Sequence, residues 1–286
     1  MGLVTAMHVG ILEYVSDETL DVITLARTLE QMGFESLWLP EHPVVPAQHR
    51  SMPPAGGAMP DYYGRLVDPF VALSAAAAGT ERLRLGTSVC LVPEHDVFNL
   101  AKAVATVDRI SRGRLLVGIG PGWLREESAL FNVDFPRRWR QTREHVLALK
   151  ALWGADPAEF SGCYVNFPPV LSRPKPIQQP HPPLIIGGDL ARAPERVAEY
   201  GDGWFPRARF SDPARIEQAR RQIEAGMRER GRDPGRLTIT LLGAPPERQV
   251  HRDYAASGVD RIVHLLFHEP PQQALQRLEE IAGAVL

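Results

Sequence analysis

The order in which apolar patterns succeed one another constrains this chain more than any single motif. Short runs of aliphatic and β-branched residues alternate with longer stretches whose apolar residues recur at helical spacing. Residues 7–12 (MHVGIL) read as a first strand. Val22, Leu25, Ala26, Leu29 and Met32 then share one helical face, with Ser16 and Asp17 as candidate N-caps. Gly33 sits where a left-handed C-terminal residue belongs. Ser36–Leu39 is a second strand, stopped by Pro40. Asp68-Pro69 opens the next helix with a capping carboxylate and a proline in the first turn. Further strands are predicted at 83–92, 114–119, 184–186, 203–205, 237–242 and 261–266. Helical patterns separate them, at 100–110, 137–153, 191–200, from Asp212-Pro213 onward, and at 246–257, and a last helix covers 271–285.

Strict alternation means parallel strands joined by right-handed crossovers. Eight such units predict a (β/α)8 TIM barrel, with an open doubly wound sheet as the alternative. The chain shows no linker and no internal repeat, so residues 1–286 are read as one domain. Two segments break the rhythm. Residues 41–67 are rich in proline and glycine, and a loop this long inside a compact domain is functional or mobile. Residues 154–183 form a proline-rich, hairpin-like insertion between the fourth helix and the fifth strand.

Composition removes whole classes of function. Lys and Arg total 32 against 34 Asp and Glu, a balance that argues against a partner held by phosphate neutralisation and against an anionic membrane surface. Two cysteines, Cys90 and Cys163, form neither a pair motif nor a disulfide framework, which fits a reducing compartment. Residues 1–10 lack the basic and apolar regions of a secretory leader, and no apolar run is long enough to span a bilayer. A soluble cytoplasmic protein is the expectation, with neither nucleic acid nor membrane as partner.

In a barrel of this kind chemistry sits in the loops after the strands. Pro40-Glu41-His42 follows the second strand, and His42 is the candidate proton donor or hydrogen-bond partner. Gly118, Gly120 and Gly122 follow the fourth strand and open the backbone to a flat ligand. The run lacks the third glycine of a dinucleotide fingerprint, because Trp123 stands there. Gly187-Gly188 precedes a helix and is a candidate anion cradle, with Asp189 as a possible cap. No metal is expected, since His42, His49, His95, His251, His264 and His268 show no ligand spacing in the sequence. Lys102, Lys150 and Lys175 fall away from strand ends, which disfavours imine chemistry.

These loops, taken in order, resemble the luciferase-like monooxygenase superfamily, and most closely its small branch dependent on the deazaflavin coenzyme F420. The resemblance runs nearly the length of the chain. It rests on residues 33–42 (GFESLWLPEH), 68–73 (DPFVAL), 84–87 (RLGT), 105–114 (ATVDRISRGR) and 118–123 (GIGPGW) with Glu126-Glu127. It continues through 182–188 (PPLIIGG), 201–204 (GDGW) and 258–261 (GVDR). It implies a barrel with an insertion, a flavin or deazaflavin across its mouth, and a homodimer packed through the second and third helices. It also implies a non-proline cis peptide at Ser88-Val89 behind the cofactor ring and a phosphate segment at Gly187-Gly188. The candidate cofactor contacts are therefore Thr87, Ser88, Val89, Gly120, Gly122, Trp123, Gly187 and Gly188, with His42 catalytic.

The chain departs from the sugar-phosphate dehydrogenases of that branch. Pro46 stands where they carry a tryptophan, and Trp123 where they carry an acidic glutamate, so a sugar phosphate is not the expected substrate. The expectation is hydride transfer between F420 and an organic small molecule. The 41–67 loop would serve as lid, and Tyr62 and Tyr63 would line the pocket. An FMN-dependent monooxygenase is the alternative within the same fold, and a barrel that binds a cofactor without turnover is the alternative outside catalysis.

Overall fold

Eight parallel strands close on themselves. They are β1 (His8–Leu12), β2 (Ser36–Leu39), β3 (Arg84–Thr87), β4 (Leu115–Gly120), β5 (Leu184–Gly187), β6 (Gly203–Phe205), β7 (Thr238–Leu242) and β8 (Arg261–Leu265). The computed structural model describes residues 7–54, 56–188 and 191–286. Asp189 and most of the chain's first residues, on which the reading of a leaderless start partly rests, lie outside the described residues. Each strand pairs with its sequence neighbours, and β1 pairs with β8, Gly10 standing opposite Val263. Between β3 and β4 the pairs are Leu85 with Leu115 and Gly86 with Leu116, which completes the closed sheet. Closure rules out the open doubly wound alternative.

The helices form the outer layer: α1 (Val22–Met32), α2 (Pro69–Gly79), α3 (Val97–Ile110), α4 (Arg138–Gly154), α5 (Ala193–Tyr200), α6 (Pro213–Glu229), α7 (Arg248–Ala256) and α8 (Pro271–Val285). Caps explain several boundaries. Asp68 accepts from the Val71 amide with Pro69 in the first turn, and Gly33 ends α1 at φ 92°. The cap of α1 is Asp21, which accepts from the Ile23 and Thr24 amides, rather than Ser16 or Asp17. Those two residues are drawn to tertiary partners instead. The Ser16 hydroxyl meets His268 Nε2 at 2.7 Å, and Asp17 pairs with Arg65 at 2.8 Å.

The third strand differs from its sequence reading as one run over 83–92. It breaks at a cis Ser88-Val89 peptide and resumes as the short segment Cys90–Leu91, which pairs with Ile119 and Gly120. The insertion holds an antiparallel hairpin, Ala158–Ser161 with Asn166–Val170. Its return toward β5 is anchored by the buried Asp108 carboxylate, which accepts from the Ile177 and Gln178 amides at 2.7 and 3.0 Å. A short helix, Arg125–Leu130, follows β4 and carries no apolar periodicity long enough to read from sequence.

Alternation along the strands makes two cores. Odd positions of β1, such as Val9 and Ile11, face the helices, whereas Leu12, Trp38, Leu116, Ile185, Phe205 and Val263 fill the barrel. Trp38 has room only because Gly86 faces it: a Cβ on Gly86 would strike the indole ring. The barrel's lower end is plugged by Arg261, whose Nε donates to Glu35 at 2.6 Å and whose guanidinium also reaches Thr240. No helix among the described residues is long and apolar enough to cross a membrane.

Candidate functional site

Above the upper ends of the strands lies a cleft of about 900 Å³ to which the loops after all eight strands contribute. Of the residues singled out in the sequence, His42, Ser88, Val89, Gly120, Gly122, Trp123, Gly187 and Gly188 all line it. Thr87 lies one layer below. It is fully buried, and its hydroxyl donates to the Gly118 carbonyl at 2.7 Å, tying β3 to β4 under the cleft floor.

His42 is held from behind by a residue to which the sequence assigned no role. Glu127, on the short helix Arg125–Leu130, is completely buried and meets His42 Nδ1 at 2.6 Å. Its second oxygen accepts from the Val44 amide at 3.3 Å. A carboxylate can only accept, so Nδ1 carries the proton of that bond and Nε2 is the ring atom left for a ligand. The imidazole is further framed by edge contacts to Tyr63 and Trp123, at centroid distances of 4.9 and 5.4 Å. The signal in the sequence was Glu126-Glu127 itself, but the 85-residue separation hid the partner.

Glu41, beside His42, supports the cis bulge. Its Oε2 accepts from the Leu91 amide at 2.6 Å and its Oε1 meets His95 Nε2 at 2.8 Å. Burial works to lower the His95 pKa, and the bond and charge of Glu41 more than reverse this, so the imidazole is raised. Glu41, Cys90 and His95 place a carboxylate, a thiol and an imidazole within 4.8 Å of one another. Complete burial, with the Glu41 charge adding to it, pushes the Cys90 thiol well up. The group is thus a hydrogen-bonded Glu41–His95 pair beside a protonated thiol, chemistry that suits a buttress better than a metal.

Glu94 stands behind Gly122. Burial pushes its carboxyl up to about 8, against a hydrogen bond from Ser128 Oγ at 2.7 Å. Gly122 has φ 80°, and a Cβ there would stand 2.8 Å from Glu94 Oε1. Glu13, beside the cleft-lining Tyr14, is likewise buried and raised to about 7, chiefly by desolvation.

The other half of the cleft is lined by Val89, by open glycine backbone and by arginines. Val89 seats its side chain in a notch between two glycines. A Cβ on Gly120 would lie 2.6 Å from Val89 Cγ2, and one on Gly187 would lie 3.1 Å from Val89 Cγ1. Gly188, at φ 127°, turns the backbone toward α5, and its carbonyl accepts from Trp204 Nε1 at 3.2 Å. Arg192 and Arg196 face the cleft from the start of α5, Arg196 lying 3.7 Å over the Trp139 ring. Open backbone, a helix start and two guanidinium groups are the parts a phosphate requires.

The 41–67 loop is held at two points. The Arg50 and Ser51 amides donate to Glu126 Oε1, the Arg50 bond being 2.8 Å, and these bonds hold the Glu126 carboxyl down at about 2. At the far end Arg65 pairs with Asp17 and Glu18. Between the clamps Pro53, Pro54, Gly56 and Pro60 line the cleft.

A closed barrel with all eight loops turned on one cleft sets the frame in which the relatives are read. The chain belongs to the luciferase-like monooxygenase family, whose model matches residues 1–246. An uncharacterized protein of Mycobacterium tuberculosis is 35% identical over 284 residues, covering 97% of this chain and 98% of that one. An FMNH2-dependent dimethylsulfone monooxygenase of Pseudomonas putida is 30% identical over 134 residues, 46% of this chain and 37% of that one. Among solved structures, the coenzyme F420-dependent tetrahydromethanopterin reductase of Methanopyrus kandleri superposes with a TM-score of 0.72. It is 17% identical, the match covers 98% of this chain and 99% of that one, and the likeness is one of fold.

Proposed function

We propose that this protein is an oxidoreductase that uses coenzyme F420 to move a hydride to or from an organic substrate bound beside His42. The observation that carries the reading is Val89, seated in its glycine notch within the same cleft as a histidine fixed by a buried glutamate. When bound, the deazaflavin supplies a ring carbon that gives or accepts a hydride. The chain's own residues do the rest. Val89 backs the ring. The Gly187-Gly188 turn with Arg192 and Arg196 holds the phosphate. His42 Nε2 holds or delivers one proton, and Glu127 keeps its ring in place. The clamped lid excludes water from the cleft.

FMN is the second reading, favoured by the similarity to an FMNH2-dependent monooxygenase. Titration of the purified protein with F420 and with FMN, each oxidised and reduced, separates the two. Binding of F420 alone in the micromolar range supports hydride transfer, and tight binding of FMN alone overturns it. Substituting His42 by Ala then tests turnover: a binding protein without activity would keep its coenzyme and have no rate to lose. We also propose assembly as a homodimer through α2 and α3, which expose Val71, Phe98 and Ile110. Free thiols at Cys90 and Cys163 favour a cytoplasmic location.

A further inference from the structure

A second cavity, of about 80 Å³, lies at the lower end of the barrel, opposite the cleft. It is set among the strand beginnings. Arg84 opens β3, Arg261 opens β8, and Arg236 stands just ahead of β7. Three guanidinium groups thus line a space worth two to three waters at about 30 Å³ each.

Arg261 is the buried member, 5% exposed. Nε and one terminal nitrogen hold the Glu35 carboxylate, and the other terminal nitrogen donates to Thr240 at 3.1 Å. Those bonds use three of the five N–H donors of a guanidinium, and the others meet no acceptor among the described residues. Buried donors left idle are costly, so the cavity has a demand for an acceptor. Arg236 is bound once, to the Gln179 carbonyl at 2.9 Å, and Arg84 reaches only Glu35, at 3.6 Å. Two carboxylates adjoin the group, and both are engaged. Glu35 is held by Arg261. Asp202, in the facing wall, accepts from Arg232 at 3.2 Å and from the Leu184 amide at 3.0 Å. His181 completes the titratable set; burial lowers its pKa, and its Nδ1 donates to the Pro182 carbonyl at 2.9 Å. The three lining arginines therefore outnumber the carboxylates, and Arg232 behind Asp202 adds to the excess. Convergent guanidinium forks match the oxygens of a tetrahedral anion.

We propose that the lower cavity binds one free inorganic oxyanion of the phosphate or sulfate type, held by Arg261 from within and by Arg84 and Arg236 from the rim. Its occupancy would pin the lower ends of β3, β7 and β8. Calorimetric titration of the full chain with phosphate tests this, with sodium chloride at matched ionic strength as reference. The parent is expected to bind phosphate saturably in the roughly millimolar range, with one site lost in the lower variants. Arg236→Gln and Arg84→Gln, both at exposed side chains, should each weaken that site about tenfold, the worth of one charge-assisted hydrogen bond. Circular dichroism checks that both remain folded. Arg196→Gln, in the upper cleft, should leave the lower site within about twofold. Absence of saturable binding in the parent would overturn the proposal, as would unchanged affinity in both lower variants. Loss in Arg196→Gln alone would also overturn it, by moving the phosphate to the cleft. The two ends of the barrel are read separately: Arg236→Gln should bind F420 or FMN as the parent does, whichever of them the cleft accepts.

Discussion

His42 is a loop histidine whose tautomer is decided by a buried residue on the short helix after β4. Glu127 fixes the tautomer and the ring plane, so the dyad acts as a unit. Removing the imidazole with His42→Ala is expected to lower turnover by about 10²- to 10⁴-fold, the range for one general acid or base. Coenzyme affinity, read by fluorescence titration, should change less than threefold by rough expectation, since His42 stands away from the anion cradle. Glu94 behaves differently. Its folded pKa of about 8 lies above the ordinary 4.5, so the folded state holds the proton more tightly than the unfolded chain. The associated stability is complete below pH 4.5 and is lost as the pH rises through about 8. Glu94→Gln keeps the acceptor for Ser128 and cannot ionise. Its melting temperature should match the parent at pH 5 and exceed it at pH 9, by an amount worth roughly 1 kcal/mol or more. A parent that matches it at both pH values would contradict the assignment.

At the scale of elements, packing and pairing carry the argument. β2 and β3 can lie side by side only because Gly86 leaves its inward position empty for Trp38. Gly86→Ala should cost about 1–3 kcal/mol by overpacking, visible as a lower urea midpoint with unchanged slope. α7 and β8 are joined by two stacked imidazoles, His251 and His264, with Nε2 atoms 3.2 Å apart. Burial first, and the His251 charge second, push His264 down to about 4 from an ordinary 6.5. The neutral pair therefore stabilises fully above about pH 6.5, and that contribution is lost as the pH falls toward 4. His251→Phe preserves the stack and removes the like charge, so its acid unfolding midpoint should lie below that of the parent by circular dichroism. An unchanged midpoint would mean that the pair does not drive acid unfolding.

At the scale of the molecule, α2 and α3 lie side by side and leave Val71 71% and Phe98 44% exposed, Phe98 meeting Phe167 of the insertion hairpin edge-on at 5.1 Å. Val71→Asp is expected to shift the light-scattering mass from dimer to monomer with the barrel still folded, whereas a parent that is already monomeric would remove the dimer from consideration. The barrel itself was legible in the sequence because its evidence is local. A 2-residue period, a 3.6-residue period, capping carboxylates and glycine stops each act within a few residues. Where the reading slipped, a distant partner outbid a local preference. Ser16 and Asp17 left the α1 cap for His268 and Arg65, and the third strand broke after Thr87 to resume at Cys90–Leu91, where Glu41 takes the Leu91 amide. By itself the sequence determined the eight strand and helix units and the loops at the upper strand ends on which His42 and the glycines stand. Only the tertiary structure decided that Glu127 stands behind His42, that Thr87 lies under the floor, and that Tyr14, Tyr62 and Tyr63 form one wall. Those are contacts between residues tens of positions apart, and no pattern shorter than the closed barrel brings them together.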